Sequence, residues 1–334
     1  MDWLTTVDEH WLHSSPWLEK KSSPLTSFDV SYRDYIYPST DRLTSPRVFA
    51  NMPDRSDYYS DTSYYSKPVR RKTFNRDYET LGCIGVGGFG RAYEGRRRFD
   101  NAAVVIKFLP KTSILNWGTF EGKRVPYEIE ILWRLRGVPG VIKILEHFEE
   151  KDRFIFIMEK IPASVTIFEY VMENGSLAST ELLRHIILEI IRINITLKMY
   201  GVWHRDCKPE NILYCMNDRS LCFIDFGSAA PMQSGDFGEF QGTLEIMVPE
   251  WITQRRYSGE AACVWTIGIC LYFLLFQQYP FRSKVEIMNG RNWLSFVTST
   301  DKQAMHTLKQ CLSFNENRRP RLSELSRQSW LANL

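Results

Sequence analysis

The octet His204-Arg205-Asp206-Cys207-Lys208-Pro209-Glu210-Asn211 constrains this chain more than any other feature, because its histidine, arginine, aspartate, lysine and asparagine fall at the spacing H-R-D-x-K-x-x-N. Chance is a poor explanation for so many chemically capable side chains at one fixed spacing. Fourteen positions beyond Asn211 lies Asp225, at the end of the apolar stretch Leu221-Cys-Phe-Ile224 and ahead of Phe226-Gly227. Burial of its apolar neighbours would fix that carboxylate in one direction, toward a metal ion. An isolated Asp-Phe-Gly is more often a turn, but the interval from Asn211 is about what a short hairpin requires.

The rest of the chain supplies the core that such a site needs. With 334 residues, 44% of them hydrophobic and 24% charged, there is enough apolar material for one large or two small domains. A net charge of +3 is too small to imply a nucleic-acid or membrane partner, so neither is expected. Seven cysteines, with no C-x-x-C pair among them, read as reduced intracellular thiols. The acidic N-terminus lacks a signal-peptide pattern, and the apolar run Val264 to Phe276 is too short to span a bilayer, so it reads as a buried core helix.

Residues 1–76 are dense in Ser, Tyr, Asp and Pro and show no sustained period, which reads as a disordered tail. Its tyrosines Tyr58, Tyr59, Tyr64 and Tyr65 are either modification sites or polar linker, and the run from Lys67 to Lys72 is either a nuclear import signal or a solvated charge cluster. From residue 77 onward the texture is that of a folded domain. Val104-Val105-Ile106 and Phe154-Ile155-Phe156-Ile157 read as buried strands, and Val125 to Trp133 as a helix with Pro126 in its first turn. Beyond about Ile167, Leu182, Leu183, Ile186, Ile187, Ile190, Ile193 and Leu197 form an apolar stripe at helical spacing. A strand-rich part followed by a helix-rich part predicts an α+β protein of two lobes.

Gly85-Val86-Gly87-Gly88-Phe89-Gly90 fits G-x-G-x-x-G, a pattern that lets backbone approach phosphates. A dinucleotide site would need these glycines to lead from a strand into a helix. Here Ala92-Tyr-Glu-Gly95 and Val104 to Lys107 follow, which looks like strand, turn and strand. The context favours a hairpin lid over a nucleotide, with a plain glycine-rich turn as the alternative. Lys107 ends an apolar strand, where a lysine is costly unless it meets an anion. Glu128, in the helix after Pro126, is its candidate partner, and by itself the pair could be an ordinary surface ion pair.

In this order the motifs resemble those of protein kinases. The resemblance implies a small β-rich N-lobe (about residues 77–158), a hinge (about 159–163) and a helical C-lobe (about 164–334). ATP and Mg²⁺ would lie in the cleft, and the product would be phosphorylated Ser or Thr in protein substrates. Asp206 would orient or accept the substrate hydroxyl proton and Lys208 would neutralise the transferring phosphoryl group, while Asn211 and Asp225 would hold Mg²⁺. Lys107, held by Glu128, would meet the α and β phosphates. Ile84, Gly85, Val86, Gly87, Gly88, Phe89, Gly90 and Ala92 would cover the nucleotide. Lys208 two places after the aspartate resembles the serine/threonine form. The competing reading is a pseudokinase that binds nucleotide as a scaffold.

More specific segments are similar to kinases of the Pim type: Asn116-Trp117-Gly118, Arg124-Val125-Pro126-Tyr127-Glu128, Phe223 to Ser228, Pro249-Glu250-Trp251-Ile252 and Val264-Trp265-Thr266-Ile267-Gly268. Cys263 stands where most kinases carry a bracing aspartate, and a small residue there is a trait of that type. The resemblance implies activity without activation-segment phosphorylation, with Glu239 pairing to Arg205 and Thr243 bracing Asp206. Alternatively, Asp236 and Glu239 are merely solvated. Glu250 and Arg319 resemble the buried C-lobe ion pair.

At the hinge Ile161 takes the place of the family's proline, so the Glu159 carbonyl and the Ile161 amide are expected to make two adenine bonds. Met158 is the expected gatekeeper or plain core. Glu169 and Glu210 are retained as substrate carboxylates, but Thr166, Phe273 and Gln278 replace other acids, so a weaker preference for basic substrates is expected. The expected protein is a monomer in the cytoplasm, with the nucleus as a further location.

Overall fold

The computed structural model describes residues 73–87, 90–177, 181–290 and 302–332. Gly88, Phe89, the tyrosines of the tail and its basic cluster lie outside the described residues. Folded structure starts a few residues ahead of the expected boundary. Phe74–Asp77 forms a short helix, α1, and Phe74 is buried with its ring edge-on to Phe108 and Phe148 at 5.6 and 6.0 Å. An aromatic side chain with a core to enter pulls this turn into the domain.

Strands β1 (Tyr78–Gly87), β2 (Gly90–Arg97) and β3 (Ala103–Pro110) run antiparallel in sequence. A second hairpin, β4 (Trp117–Phe120) and β5 (Lys123–Pro126), then leads into helix α2 (Tyr127–Arg134). This corrects the expected helix start, because Pro126 ends a strand and stands at the N-cap instead of inside the first turn. Strands β6 (Ile144–Glu149) and β7 (Arg153–Glu159) complete a five-stranded sheet of order β1-β2-β3-β7-β6.

The continuous apolar runs in β3 and β7 reflect burial on both faces. Val104, Ile106, Ile155 and Ile157 pack under α1 with Phe74 and Tyr78, while Leu109, Phe154, Phe156 and Met158 join the core that continues into the helical lobe.

After the hinge, β8 (Ser164–Thr166) precedes α3 (Ile167–Asn174), whose start carries a reciprocal capping box between Thr166 and Glu169. The apolar stripe forms α4 (Glu181–Met199), with Leu183, Ile186, Ile187, Ile190, Ile193 and Leu197 buried. Short strands then frame the motif loops. Strand β9 (Val202–Trp203) precedes the octet, β10 (Ile212–Cys215) and β11 (Leu221–Phe223) form the hairpin between octet and Asp225, and β12 (Ala230–Pro231) returns to pair with β9.

Helices α5 (Pro249–Gln254), α6 (Gly259–Phe276), α7 (Lys284–Asn289), α8 (Lys302–Cys311), α9 (Leu322–Leu325) and α10 (Ser329–Ala332) build the rest of the lobe. The apolar run at Val264 extends to an 18-residue helix, α6, long and apolar enough by composition to cross a membrane. Its Trp265, Tyr272 and Phe273 are nonetheless buried at the centre of this lobe, and Ser258 caps its start. The seven cysteines are all free.

Candidate active site

The octet forms the loop between β9 and β10, and its side chains bond one another in a closed set. Asn211 Nδ2 donates to the Asp206 carbonyl at 2.9 Å and to Asp206 Oδ2 at 2.7 Å, which commits the amide nitrogen and leaves its oxygen for a ligand. Thr243, thirty-seven residues away, contacts Asp206 Oδ1 at 3.5 Å and accepts from Lys208 Nζ at 3.3 Å. Lys208 Nζ also stands 3.5 Å from Asp206 Oδ2. Burial holds the His204 imidazole below its usual pKa. With Asp206 N–H directed at His204 Nδ1 and the Ile224 carbonyl 3.0 Å from Nε2, the neutral ring is the tautomer that donates from Nε2. His204 thus ties the octet to the residue before Asp225.

Lys107 brings the sheet into this site. Its Nζ donates to Glu128 Oε1 at 2.7 Å and to Asp225 Oδ1 at 2.8 Å, joining β3, α2 and the end of the β10–β11 hairpin. Burial works to discharge the lysine, but attraction to Asp225 and Glu128 outweighs it and holds the pKa above the ordinary value. Burial raises the Glu128 carboxyl, partly offset by Lys107. Asp225 is also pushed up by burial, yet the Lys107 charge and hydrogen bond leave it below the ordinary carboxylate range. One cation between two carboxylates leaves a net negative site, which suits a bound divalent cation.

The residues present fit a magnesium nucleotide. Among the described residues no group of three or more His, Cys, Asp or Glu side chains forms a metal cage. Mg²⁺ does not need one, because it binds through one or two protein oxygens together with substrate phosphates and water. Asp225 and the Asn211 oxygen would supply such a pair. The glycine-rich hairpin supports the same fit. A Cβ at Gly85 would meet only Ala92 at 4.0 Å and one at Gly87 would meet nothing within 4 Å, so packing within the protein does not demand these glycines. Gly90 differs, since its φ of 130° and the Phe108 carbonyl, 2.1 Å from an added Cβ, exclude any other residue.

Cross-strand pairing puts Gly85, Ala92 and Lys107 in one row on one face of the sheet. Val86 pairs with Arg91, on the opposite face. Ile84 is half-exposed beside the register shift that precedes Gly85.

A family profile for the protein kinase domain matches residues 78–331, which contain all of these groups. The chain belongs to the protein kinase family. Serine/threonine-protein kinase prk-2 of Caenorhabditis elegans is 30% identical over 260 residues, covering 77% of this chain and 59% of that protein. Serine/threonine-protein kinase pim-2 of Danio rerio is 30% identical over 271 residues, covering 78% of this chain and 86% of that protein. The PAS domain-containing serine/threonine-protein kinase of Mus musculus is also 30% identical, over 262 residues, 77% of this chain and 19% of that protein. This kinase is therefore of the serine/threonine class.

In the kinase hinge, the Glu159 carboxylate turns back to accept from Lys143 N at 2.9 Å, and the Ile161 carbonyl accepts from Ser164 Oγ at 2.8 Å. Met158 is buried and pairs with Val105. The Glu169 carboxylate serves the α3 cap, accepting from Thr166 N and Oγ1 at 2.8 and 2.9 Å, so the role expected for it in substrate binding competes with a structural one. Glu210 is held by the Tyr279 hydroxyl at 2.5 Å, and burial raises its carboxyl pKa.

Arg205 Nη1 and Glu239 Oε1 are 3.7 Å apart, and the Glu239 side chain is 60% exposed. That is an ion pair at arm's length, without a hydrogen bond. Glu250 and Arg319 form a buried bidentate pair, both bonds 2.7 Å. Sequence reasoning missed Tyr279 as the holder of Glu210 and missed Tyr257 and Phe237 beside Arg205. No local pattern marks them, since their partners lie 69, 52 and 32 residues away in sequence.

Proposed function

We propose that this kinase transfers the γ-phosphate of ATP, with Mg²⁺, to Ser or Thr hydroxyls of proteins, and that it is of the Pim type and needs no phosphorylation of its activation segment. The observation that carries the reading is the joining of Lys107, Glu128 and Asp225 across both lobes, beside an Asp206 already bonded to Asn211 and Thr243. An arrangement that is complete before any modification is what constitutive activity requires.

MgATP supplies the transferable phosphoryl group and much of the charge neutralisation. Asp206 orients the acceptor hydroxyl and takes its proton, Lys208 offsets charge at the transferring group, and Lys107 fixes the donor phosphates. The Glu159 carbonyl and Ile161 amide would hold adenine. Similarity to pim-2 supports the Pim assignment. We assign the protein to the cytoplasm, and to the nucleus if the run from Lys67 to Lys72 is read as an import signal, acting as a monomer.

Glu210 lies within electrostatic reach of Glu245 and Lys208. Together the two carboxylates support a preference for a single basic residue in the substrate, weaker than a multi-arginine requirement.

The test is phosphate transfer from labelled ATP to a randomised Ser/Thr peptide library by phosphatase-treated protein. Wild type should transfer, and Asp206→Asn should lose about a hundred-fold or more in kcat. Intact nucleotide binding with no transfer, unchanged by Asp206→Asn, would establish the scaffold reading instead.

A further inference from the structure

Arg205 is an octet residue whose side chain bonds outside the Asp206–Lys208–Asn211 set. Its backbone is left-handed, with φ of 63°, and its side chain is only 3% exposed. Nε donates to the Ser228 carbonyl at 2.7 Å, three residues past Asp225. This bond ties the octet to the backbone that follows Asp225. Neither terminal nitrogen has a hydrogen-bond partner among the described residues, although both are buried.

The surroundings are aromatic. The guanidinium lies over the Phe237 ring, 4.9 Å from its centroid, and Phe237 stacks on Tyr257 at 5.4 Å and 26°. The backbones of Phe237 and Tyr257 exchange hydrogen bonds of 2.9 and 3.2 Å. Two further buried polar atoms, the Tyr257 hydroxyl and Gln241 Oε1, also have no partner among the described residues. Burial raises the Tyr257 phenol pKa while the Arg205 charge and direct side-chain proximity to Arg205 oppose the rise, so the two groups are close neighbours although they make no hydrogen bond of good geometry.

Arg205, Gln241 and Tyr257 all line one cavity of about 20 Å³, which Cys263 and Thr266 of α6 also line. That volume suits a single water molecule. Three donors (two guanidinium N–H groups and a phenol) face one amide acceptor. An anion would satisfy the donors and oppose Gln241 Oε1. A water can accept from Arg205 and Tyr257 while donating to Gln241. The Gln241 amide is already oriented for this, because its Nε2 donates to Glu239 Oε1 at 3.2 Å.

We propose that Tyr257 is a positioning residue for phosphoryl transfer, holding the Arg205 guanidinium through one buried water shared with Gln241. Glu239 then acts at one remove, by orienting Gln241. The inference rests on the kinase reading above and deepens it by naming what holds the activation segment.

The test uses the full chain with Tyr257→Phe, which keeps the ring and its stack and deletes only the hydroxyl. Loss of a hydrogen bond serving a charged group should lower kcat about ten-fold, with KM for ATP within about two-fold. In an Arg205→Ala background the same substitution should have no further effect, because nothing is left to hold. Equal fold losses in both backgrounds, or an unchanged kcat, would overturn the proposal. If Arg205→Ala is too slow to assay, a crystal structure of the wild type decides. Density for one water within about 3.2 Å of both an Arg205 terminal nitrogen and the Tyr257 oxygen supports the proposal, and density without it overturns it. Wild-type protein that transfers no phosphate would sink the kinase reading and leave the crystallographic arm still informative.

Discussion

Substituting Arg319 with methionine should destabilise the C-lobe more than any surface change. In the wild type both side chains of the pair are sequestered, Arg319 at 0% and Glu250 at 2% exposure, and the contact is bidentate. Arg319 also donates to the Ser313 and Ala261 carbonyls at 2.9 and 3.1 Å and lies 4.8 Å from the Trp265 ring centroid. Methionine fills much of the same space but leaves the Glu250 carboxylate buried without its cation.

Removing one partner of such a pair costs about 3–5 kcal/mol. At about 2–4 °C per kcal/mol for a domain of this size, Tm should fall by about 6–20 °C. Thermal melts by circular dichroism measure this directly. The mechanism makes a second demand: Glu250→Gln combined with Arg319→Met should recover part of the loss, since the stranded charge is gone. A single mutant melting within about 2 °C of wild type, or a double mutant no better than the single, would refute the reasoning.

Two further outcomes are expected from the site. Glu239→Ala should lower kcat by about two- to five-fold, the scale of an exposed pair at 3.7 Å; steady-state kinetics showing full activity would return Glu239 to the status of a solvated acid, and a hundred-fold loss would make the ion pair dominant. Glu210→Gln should reduce kcat/KM for peptides with one upstream arginine by about ten-fold while sparing peptides without it, on a peptide array; a strong multi-arginine requirement in the wild type would contradict the reading.

What was legible in the sequence depended on how far apart the interacting residues are. The octet and Asp225 could be placed because a loop and one short hairpin bring them together, and β3 and β7 were visible as unbroken apolar runs although their pairing was not. Lys107 and Glu128 are only 21 residues apart and could be paired by residue type. The β4–β5 hairpin was not legible: its strands are four residues each, and Lys-Arg-Val-Pro alternates poorly, so Val125 and Pro126 read as helix. Tyr257 and Tyr279 carry no local signal, since each matters only through a partner brought near by tertiary packing. The Glu169 carboxylate has two chemically reasonable duties, and only coordinates reveal that the helix cap uses it.

The β4–β5 hairpin bears on which shapes this kinase can adopt. The Thr119 amide donates to Glu130 Oε2 at 2.7 Å, and a Cβ on Gly118 would collide with that same carboxylate at 2.1 Å. The hairpin is thus bolted to the middle of α2, the helix that carries Glu128. Swinging α2 outward would break the bond to Lys107 and would either carry both four-residue strands along or break the Thr119 bond as well. Small molecules that work by wedging this helix away from the sheet face a scaffold built against them, whereas compounds shaped to the closed cleft do not.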